Sequence, residues 1–505
     1  MFSLPQLAFG AGLLCLVFLY ALRGPKGKLP PGPPGLPIVG NLLEIPTKQM
    51  FLKFDEWAKK YGDLYTVNVA GKKIVVLSSA KSSGDVLDRK SGATSGRPRF
   101  VMAGEIMCHN LLYMFMSPGE QWRRLRRVTH EGFNIRACQA YYPFQEQEAA
   151  NLVRSIMAEP TDLGQKLKHA TAAATWRSLY SGPSLTEEDE AKVCGIDNVG
   201  ETVLGASMPM AFLVDVIPAM KMLPNWMAGW KAWGEEWFRE SGRFFHGLLD
   251  DGKQQKKGVE HHVGFIASTA PSFKKFGVTE QEAAWTAGGL FIAGVETSGA
   301  TLHYFIQAMV LNPEVCRAAQ KHVDSVVGNR PPTFDDRDQL PYVVAVVKET
   351  IRWRPVAALG VPHVADEDLE YRGYVIPKGT QIIGNIWSIA HDPAYFPYPE
   401  QFQPSRFIDS SGNIKEPFPN YHDDIVAFGA GRRVCPGRDF ANNMLFIDMA
   451  YLLWAFDFEL ARNEMGTSMP DTMKFDDHGL IILPVEFPCV VKPRRNDLGE
   501  LLGDM

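Results

Sequence analysis

At 505 residues, with 46% hydrophobic residues and a formal net charge of −5, the chain can bury a large core and has no basic excess to draw it to nucleic acid. Its seven cysteines, at 15, 108, 138, 194, 316, 435 and 489, are odd in number and lack any C-x-x-C pair. That usage excludes a disulfide framework and the closely spaced ligand sets of zinc and iron–sulfur sites.

The chain opens on residues 1–22, which carry no charge and are long enough to cross a bilayer; a signal-anchor helix is expected there. Arg23, Lys26 and Lys28 follow, which by the positive-inside rule puts the body on the cytosolic face. A cleaved signal peptide is the other reading, against which stand the length of the run and the lack of basic residues before it. Residues 23–40, with prolines at 25, 30, 31, 33, 34 and 37, read as a stiff hinge, and no linker divides residues 41–505, the expected catalytic domain.

Residues 64–69 and 73–77 flank Ala70-Gly71 and predict a hairpin. Residues 100–116 hold four methionines and little periodicity, which suits either core filling or an adaptable wall. Trp122 and Arg126 share one helix face, while Arg123, Arg124 and Arg127 fall on others, as solvated charge or as a docking surface. Residues 140–275 are helical in composition, except 208–222, which is too proline-broken for one helix; Lys253, Lys256 and Lys257 read as solvated. A long apolar helix is expected over 279–310, and its Gly288, Gly289, Gly294 and Gly299 each cost about 1 kcal/mol relative to alanine, so a close neighbour is expected. Glu349 and Arg352 lie three apart on one helix face, and residues 371–380 read as strand, turn, strand.

The most specific stretch is 428–441, F-G-A-G-R-R-V-C-P-G-R-D-F-A. Cys435 stands before an apolar-periodic run, 440–456, and a helix entrance lowers a thiol's pKa and favours an anionic metal ligand. Gly429, Gly431 and Gly437 free the backbone to turn and to lie against a flat body, whose carboxylate Arg433 could reach. One lone cysteine suits a macrocycle that brings four nitrogens of its own. A buried free cysteine in a glycine-rich loop is the alternative.

The spacing Phe428-x-x-Gly431-x-Arg433-x-Cys435-x-Gly437 resembles the heme-binding signature of the cytochrome P450 superfamily, and the resemblance extends over about residues 30 to 495. It implies a mainly α fold with a small β-rich lobe and heme b as cofactor. Cys435 would be the proximal iron ligand, its thiolate favouring O–O cleavage. Arg97, Trp122, Arg126 and Arg433 would surround the heme with Phe428, Gly431 and Gly437; Trp122 and Arg126 would hold a propionate, as would His363, for which a surface position is the other reading. Ala293 and Gly294 would pass over the heme face on a locally widened helix, and Glu296 and Thr297 would relay protons; an ordinary buried helix with its threonine bonded to its own backbone is the alternative. Arg406 would complete a buried cluster with Glu349 and Arg352, although Ser405 departs from the family's usual acidic residue. Residues 100–116 would touch substrate, 208–222 roof the pocket, 356–360 pass beside the heme and 476–484 close it.

As partners the resemblance implies O2, a lipophilic small molecule, membrane lipid of the endoplasmic reticulum, and an NADPH-cytochrome reductase with cytochrome b5 as a further donor. No G-x-G-x-x-G fingerprint for a dinucleotide follows a strand here. The 360–363 and 428–433 runs resemble fungal microsomal members of the O-methylsterigmatocystin oxidoreductase-like group, which implies oxidation of a terpenoid, polyketide or alkaloid. An oxygen-independent heme-thiolate isomerase or dehydratase, disfavoured by the acid–alcohol pair, and a non-catalytic heme carrier are the other classes.

Overall fold

The apolar-periodic runs fold as helices, and the structure, a computed structural model, describes residues 27–180, 185, 187–208, 211–254, 264–417, 426–463, 466–467 and 471–503. The expected anchor at 1–22, with Lys256 and Lys257, lies outside them. Among the described residues no helix is long and apolar enough to cross a membrane.

The long helices are α1 (Met50–Tyr61), α2 (Glu120–Phe133), α3 (Tyr142–Ala158), α4 (Leu163–Tyr180), α5 (Glu187–Ser207) and α6 (Gly229–Gln254). They continue with α7 (Phe265–Phe276), α8 (Glu280–Leu311), α9 (Pro313–Val327), α10 (Pro341–Trp353) and α11 (Arg438–Ala455). Helix α8 is the axis of the molecule. Thr279 caps it and Glu282 reaches back to the Thr279 N–H at 2.9 Å, a capping box that fixes its start; Asn312-Pro313 ends it. Its first half shares a core with Leu125, Trp176, Phe245 and Phe265, and its second half, from Leu302, shares another with α3, α9, α10 and α11. A helix apolar on nearly every side has to be wrapped by others.

The expected reason for its glycines holds at three of them. A Cβ on Gly288 would come within 2.5 Å of the Phe245 ring, one on Gly289 within 2.8 Å of Leu112, and one on Gly299 within 3.3 Å of the Lys168 backbone, so α6, the 100–116 stretch and α4 approach where side chains are missing.

The β lobe is built around β1 (Leu64–Val69) and β2 (Lys72–Leu77), joined at Ala70-Gly71 with φ of 48° and 84°, the left-handed pair a tight hairpin turn requires. After α10 come β3 (His363–Val364), the hairpin β4 (Leu369–Tyr371) and β5 (Tyr374–Ile376), and β6 (Gln381–Gly384). The main sheet runs β1-β2-β6-β3, with β2 and β6 parallel. The proline-rich stretch is laid down rather than free where it is described. The Thr66 N–H donates to the Pro31 carbonyl at 2.7 Å, and a Cβ on Gly32 would collide with the Thr66 carbonyl.

The 208–222 stretch is broken as expected, into short turns at Leu213–Val216 and Pro218–Met222, with 209–210 outside the described residues. Its described residues do not line the central cavity as a roof would; they cap the neighbouring wall instead. Asp215 accepts the N–H groups of Val101 and Met102 at 2.6 and 3.1 Å, and Lys221 pairs with Glu105 at 2.6 Å.

Candidate active site

A cavity of about 700 Å³ lies between the cysteine loop and α8, within the size range of small-molecule and cofactor sites. Cys435, Phe428, Gly431, Arg433 and Gly437 line one side, and Ala293, Gly294 and Thr297 line the other. Leu112, Tyr113, Met114, Val356 and Leu359 close its edges, so the 100–116 and 356–360 stretches reach it as expected. The 476–484 stretch does not. Its Ile482 N–H donates to the Val356 carbonyl at 2.8 Å, bracing the wall from behind.

The loop's geometry refines one expectation and corrects another. Gly431 lines the cavity at φ 57°, and a Cβ there would meet the Leu87 carbonyl at 2.5 Å, so a protein neighbour also demands glycine at this position. Gly437 is the N-cap of α11, so Cys435 stands outside the helix, its N–H donating to the Phe428 carbonyl at 2.8 Å. Burial raises the Cys435 thiol above its ordinary pKa, outweighing the Gly437 N–H and the positive charges of Arg126 and Arg438. A thiol held up by burial ionises when a metal cation takes its electron pair.

Three guanidinium groups converge at the cavity's edge. Arg97 donates to the Met114, Val361 and Pro362 carbonyls at 3.1, 2.7 and 2.7 Å. Arg433 donates to the Ser95 and Met116 carbonyls at 2.9 and 2.6 Å, and Arg126 to the Tyr113 hydroxyl at 2.9 Å. Among the described residues their hydrogen-bond partners are neutral oxygens, so none of the three sits in an ion pair. Burial and then the Arg433 charge bring Arg97 down to about 9, and burial brings Arg433 down to about 10. His363 is buried at the same edge with Nδ1 2.7 Å from the Thr94 carbonyl, and burial together with Arg97 presses it down to about 3; it is a neutral ring and not a surface residue.

Trp122 stands behind this cluster without lining the cavity, its ring 4.3 Å beneath the Arg433 guanidinium. Its buried indole N–H has no partner among the described residues, a loss of about 1–3 kcal/mol if it stayed so. Clustered cations and an orphaned donor beside a buried sulfur fit a flat cofactor with a metal at its centre and carboxylates on its rim. Cys435 would hold the iron of heme b, and Arg97, Arg126, Arg433 and the Trp122 N–H its propionates.

On the opposite wall α8 runs unbroken from Glu280 to Leu311, so the expected local widening is not there. The Thr297 hydroxyl donates to the Ala293 carbonyl at 2.7 Å while its side chain faces the cavity. Glu296, expected beside it as a relay partner, is turned off the cavity and ion-paired with Lys168 of α4, which also pairs with Asp197 at 3.3 Å. Burial by itself would lower the Lys168 pKa; Glu296 and Asp197 override it and hold the ammonium above its ordinary value.

Behind the cysteine side the buried triad is complete. Glu349 takes Arg352 at 2.7 and 2.8 Å, Arg406 at 3.1 Å and the Gln403 N–H at 2.7 Å. Ser405 is exposed, so the acidic residue missing there costs the triad nothing. On α2, Arg123 and Arg127 are exposed, whereas Arg124 is committed to Glu282 at 2.8 Å. Sequence reasoning missed Thr175, Thr301 and Leu445, which also line the cavity; no local motif marks them, because only the tertiary fold brings them together.

Comparison with known proteins agrees with this geometry. The chain matches the family described as Cytochrome P450 over residues 30–486. It is 41% identical over 501 residues to cytochrome P450 monooxygenase 253 of Postia placenta, covering 99% of this chain and 95% of that one. Cytochrome P450 monooxygenase 58 of the same fungus matches at 41% with the same coverage. Cytochrome P450 monooxygenase claR of Ampulloclitocybe clavipes is 34% identical over 511 residues, 99% of this chain and 92% of that one. A likeness that runs through the cysteine loop and on across nearly the whole length leaves one conclusion: this chain belongs to the cytochrome P450 family, the heme b-dependent monooxygenases of class EC 1.14.-.-.

Proposed function

We propose that the enzyme, held at the endoplasmic reticulum membrane by residues 1–22, oxidises C–H bonds of a lipophilic small molecule with O2 and electrons relayed from NADPH by a membrane reductase. The observation that carries this reading is the cavity itself, which the half-buried Cys435 and Thr297 line together with apolar Leu112, Met114, Leu290, Val356 and Leu359. Such walls bind a greasy skeleton by excluding water and offer it few hydrogen bonds.

Bound heme supplies oxygen activation and electron transfer. The chain's own residues do the rest. Cys435 holds the iron, and Arg97, Arg126 and Arg433 neutralise the carboxylates and fix the ring's orientation. Thr297, bonded at rest to Ala293, turns its hydroxyl to hold a water and pass a proton at the α8 face, and Glu296 replaces that proton from the Lys168 and Asp197 side. Membrane attachment is supported by exposed Leu36, Ile38, Leu43, Ile217, Met222 and Trp226 on the described surface and by the apolar run at 1–22. The fungal origin of the relatives supports a place in fungal specialised metabolism, with a terpenoid, polyketide or alkaloid as substrate.

Expressing the full chain with a reductase and screening extracts for products that gain one oxygen tests the reading. Cys435→Ala should lose the red-shifted Soret band of the reduced carbon-monoxide complex. Thr297→Ala should keep the band and divert reducing equivalents to peroxide. Turnover without NADPH would instead identify an oxygen-independent isomerase, and full coupling in Thr297→Ala would remove Thr297 from proton delivery.

A further inference from the structure

Threonines inside helices ordinarily satisfy their hydroxyls on the carbonyl four residues back. Thr129, Thr269, Thr286, Thr297, Thr301 and Thr350 all do so. Thr175 of α4 does not: it is 2% exposed, and its hydroxyl has no hydrogen-bond partner among the described residues. It lines the cavity and faces α8 where α8 has no side chain, since a Cβ on Gly294 would lie 3.6 Å from the Thr175 Oγ1. The missing methyl of Gly294 leaves a space about the size of a water in front of an unsatisfied hydroxyl.

The same face of α4 carries Thr171 and Lys168, four and seven residues back. Thr171 is buried, donates to the Lys168 carbonyl at 2.9 Å and approaches the Val295 carbonyl of α8 at 3.3 Å. Lys168 ends the row in its ion pairs with Glu296 and Asp197. Glu296 therefore opens onto the seam between α4 and α8, not onto the cavity, and on α8 itself nothing joins it to the Thr297 hydroxyl.

We propose that Thr175 is a positioning residue that holds a water against Gly294, through which protons travel from the Glu296, Lys168 and Asp197 cluster along the α4–α8 seam into the cavity. Seven helical residues span about 10 Å, and midway along that span the Thr171 hydroxyl lies 3.3 Å from the Val295 carbonyl. A hydroxyl that accepts one proton as it gives another is left unchanged, which valine at this position could not do. The proposal rests on the reading of Thr297 as a proton donor.

The test uses the full-length, heme-loaded protein as Thr175→Val and Thr175→Ser, with Thr297→Ala alongside. Two readouts are taken: the infrared stretch of carbon monoxide on the reduced protein, and peroxide released per NADPH consumed. Thr175→Val should raise the stretching frequency, because a donor water is lost, and raise the peroxide released for each turnover that makes product roughly tenfold, the worth of one hydrogen bond. Thr175→Ser should return both towards the parent. If Thr175→Val changes neither readout while Thr297→Ala uncouples, Thr175 merely packs and the proposal falls alone. If Thr297→Ala stays coupled, the proton reading falls, and an unshifted stretch in Thr175→Val then removes the water as well.

Discussion

Glu349→Gln isolates the electrostatics of the triad from its packing, since the two side chains are nearly isosteric. Glu349 is 0% exposed and Arg352 1%, and two carboxylate oxygens accept four donors between them. The amide keeps one acceptor and turns its NH2 towards a guanidinium N–H, so a donor faces a donor and two arginines lose their counter-charge. Breaking a buried pair from one side costs about 3–5 kcal/mol, a large share of the roughly 5–15 kcal/mol that holds a typical domain together. Urea unfolding followed by the heme band and by tryptophan fluorescence should show a lower midpoint with an unchanged slope. Glu349→Leu combined with Arg352→Leu should cost less than the sum of the two singles, because Arg406 retains the carbonyls of Pro397 and Gln401. A single glutamine that costs under about 1 kcal/mol, or strict additivity in the double variant, would refute a triad that stands or falls as a unit.

Trp122→Phe keeps the ring beneath Arg433 and deletes the orphaned N–H; heme should leave roughly tenfold faster to an excess scavenger, and equal loss rates would take the indole out of propionate binding. Burial holds His363 and His391 down to about 3 and His303 down to about 4, so all three are neutral when folded and protonate near their ordinary value of about 6.5 when unfolded. The unfolded chain then binds more protons below that value, and stability present above it is lost as pH falls from about 6.5 towards 4. His391→Gln should flatten that dependence by about 1.4 kcal/mol per pH unit, and an unchanged slope would count against a buried neutral ring. Reversing charge at the exposed Arg123 and Arg127 should slow reduction by the reductase, less so at high salt; the same rate at every ionic strength would clear α2 of docking.

Periodicity and punctuation carried much of the fold. Ala70-Gly71 placed the first hairpin, the apolar run from 279 placed the start of α8 to within a residue, and the likeness of the Arg406 motif to that of the family, joined to Glu349 and Arg352, placed the triad. The first two are local signals, and the third is a family likeness. What stayed hidden depends on neighbours distant in sequence. Glu296 and Thr297 are adjacent in the chain, yet successive helical residues point about 100° apart, and only the position of α4 decides that one meets Lys168 and the other the cavity. The Cys435 thiol follows the same rule, because proximity to a helix can be read from sequence whereas depth of burial cannot. The crowding of Gly431 by Leu87 was hidden in the same way, because the turn that carries Leu87 lies far upstream in the chain.

Asp215 and Lys221 fasten the segment above the cavity's flank to the Val101–Met107 wall, one through two amide hydrogens and the other through Glu105. Neither strip can leave the other without stranding the Asp215 carboxylate or the Lys221 ammonium, so the two behave as a single piece of wall.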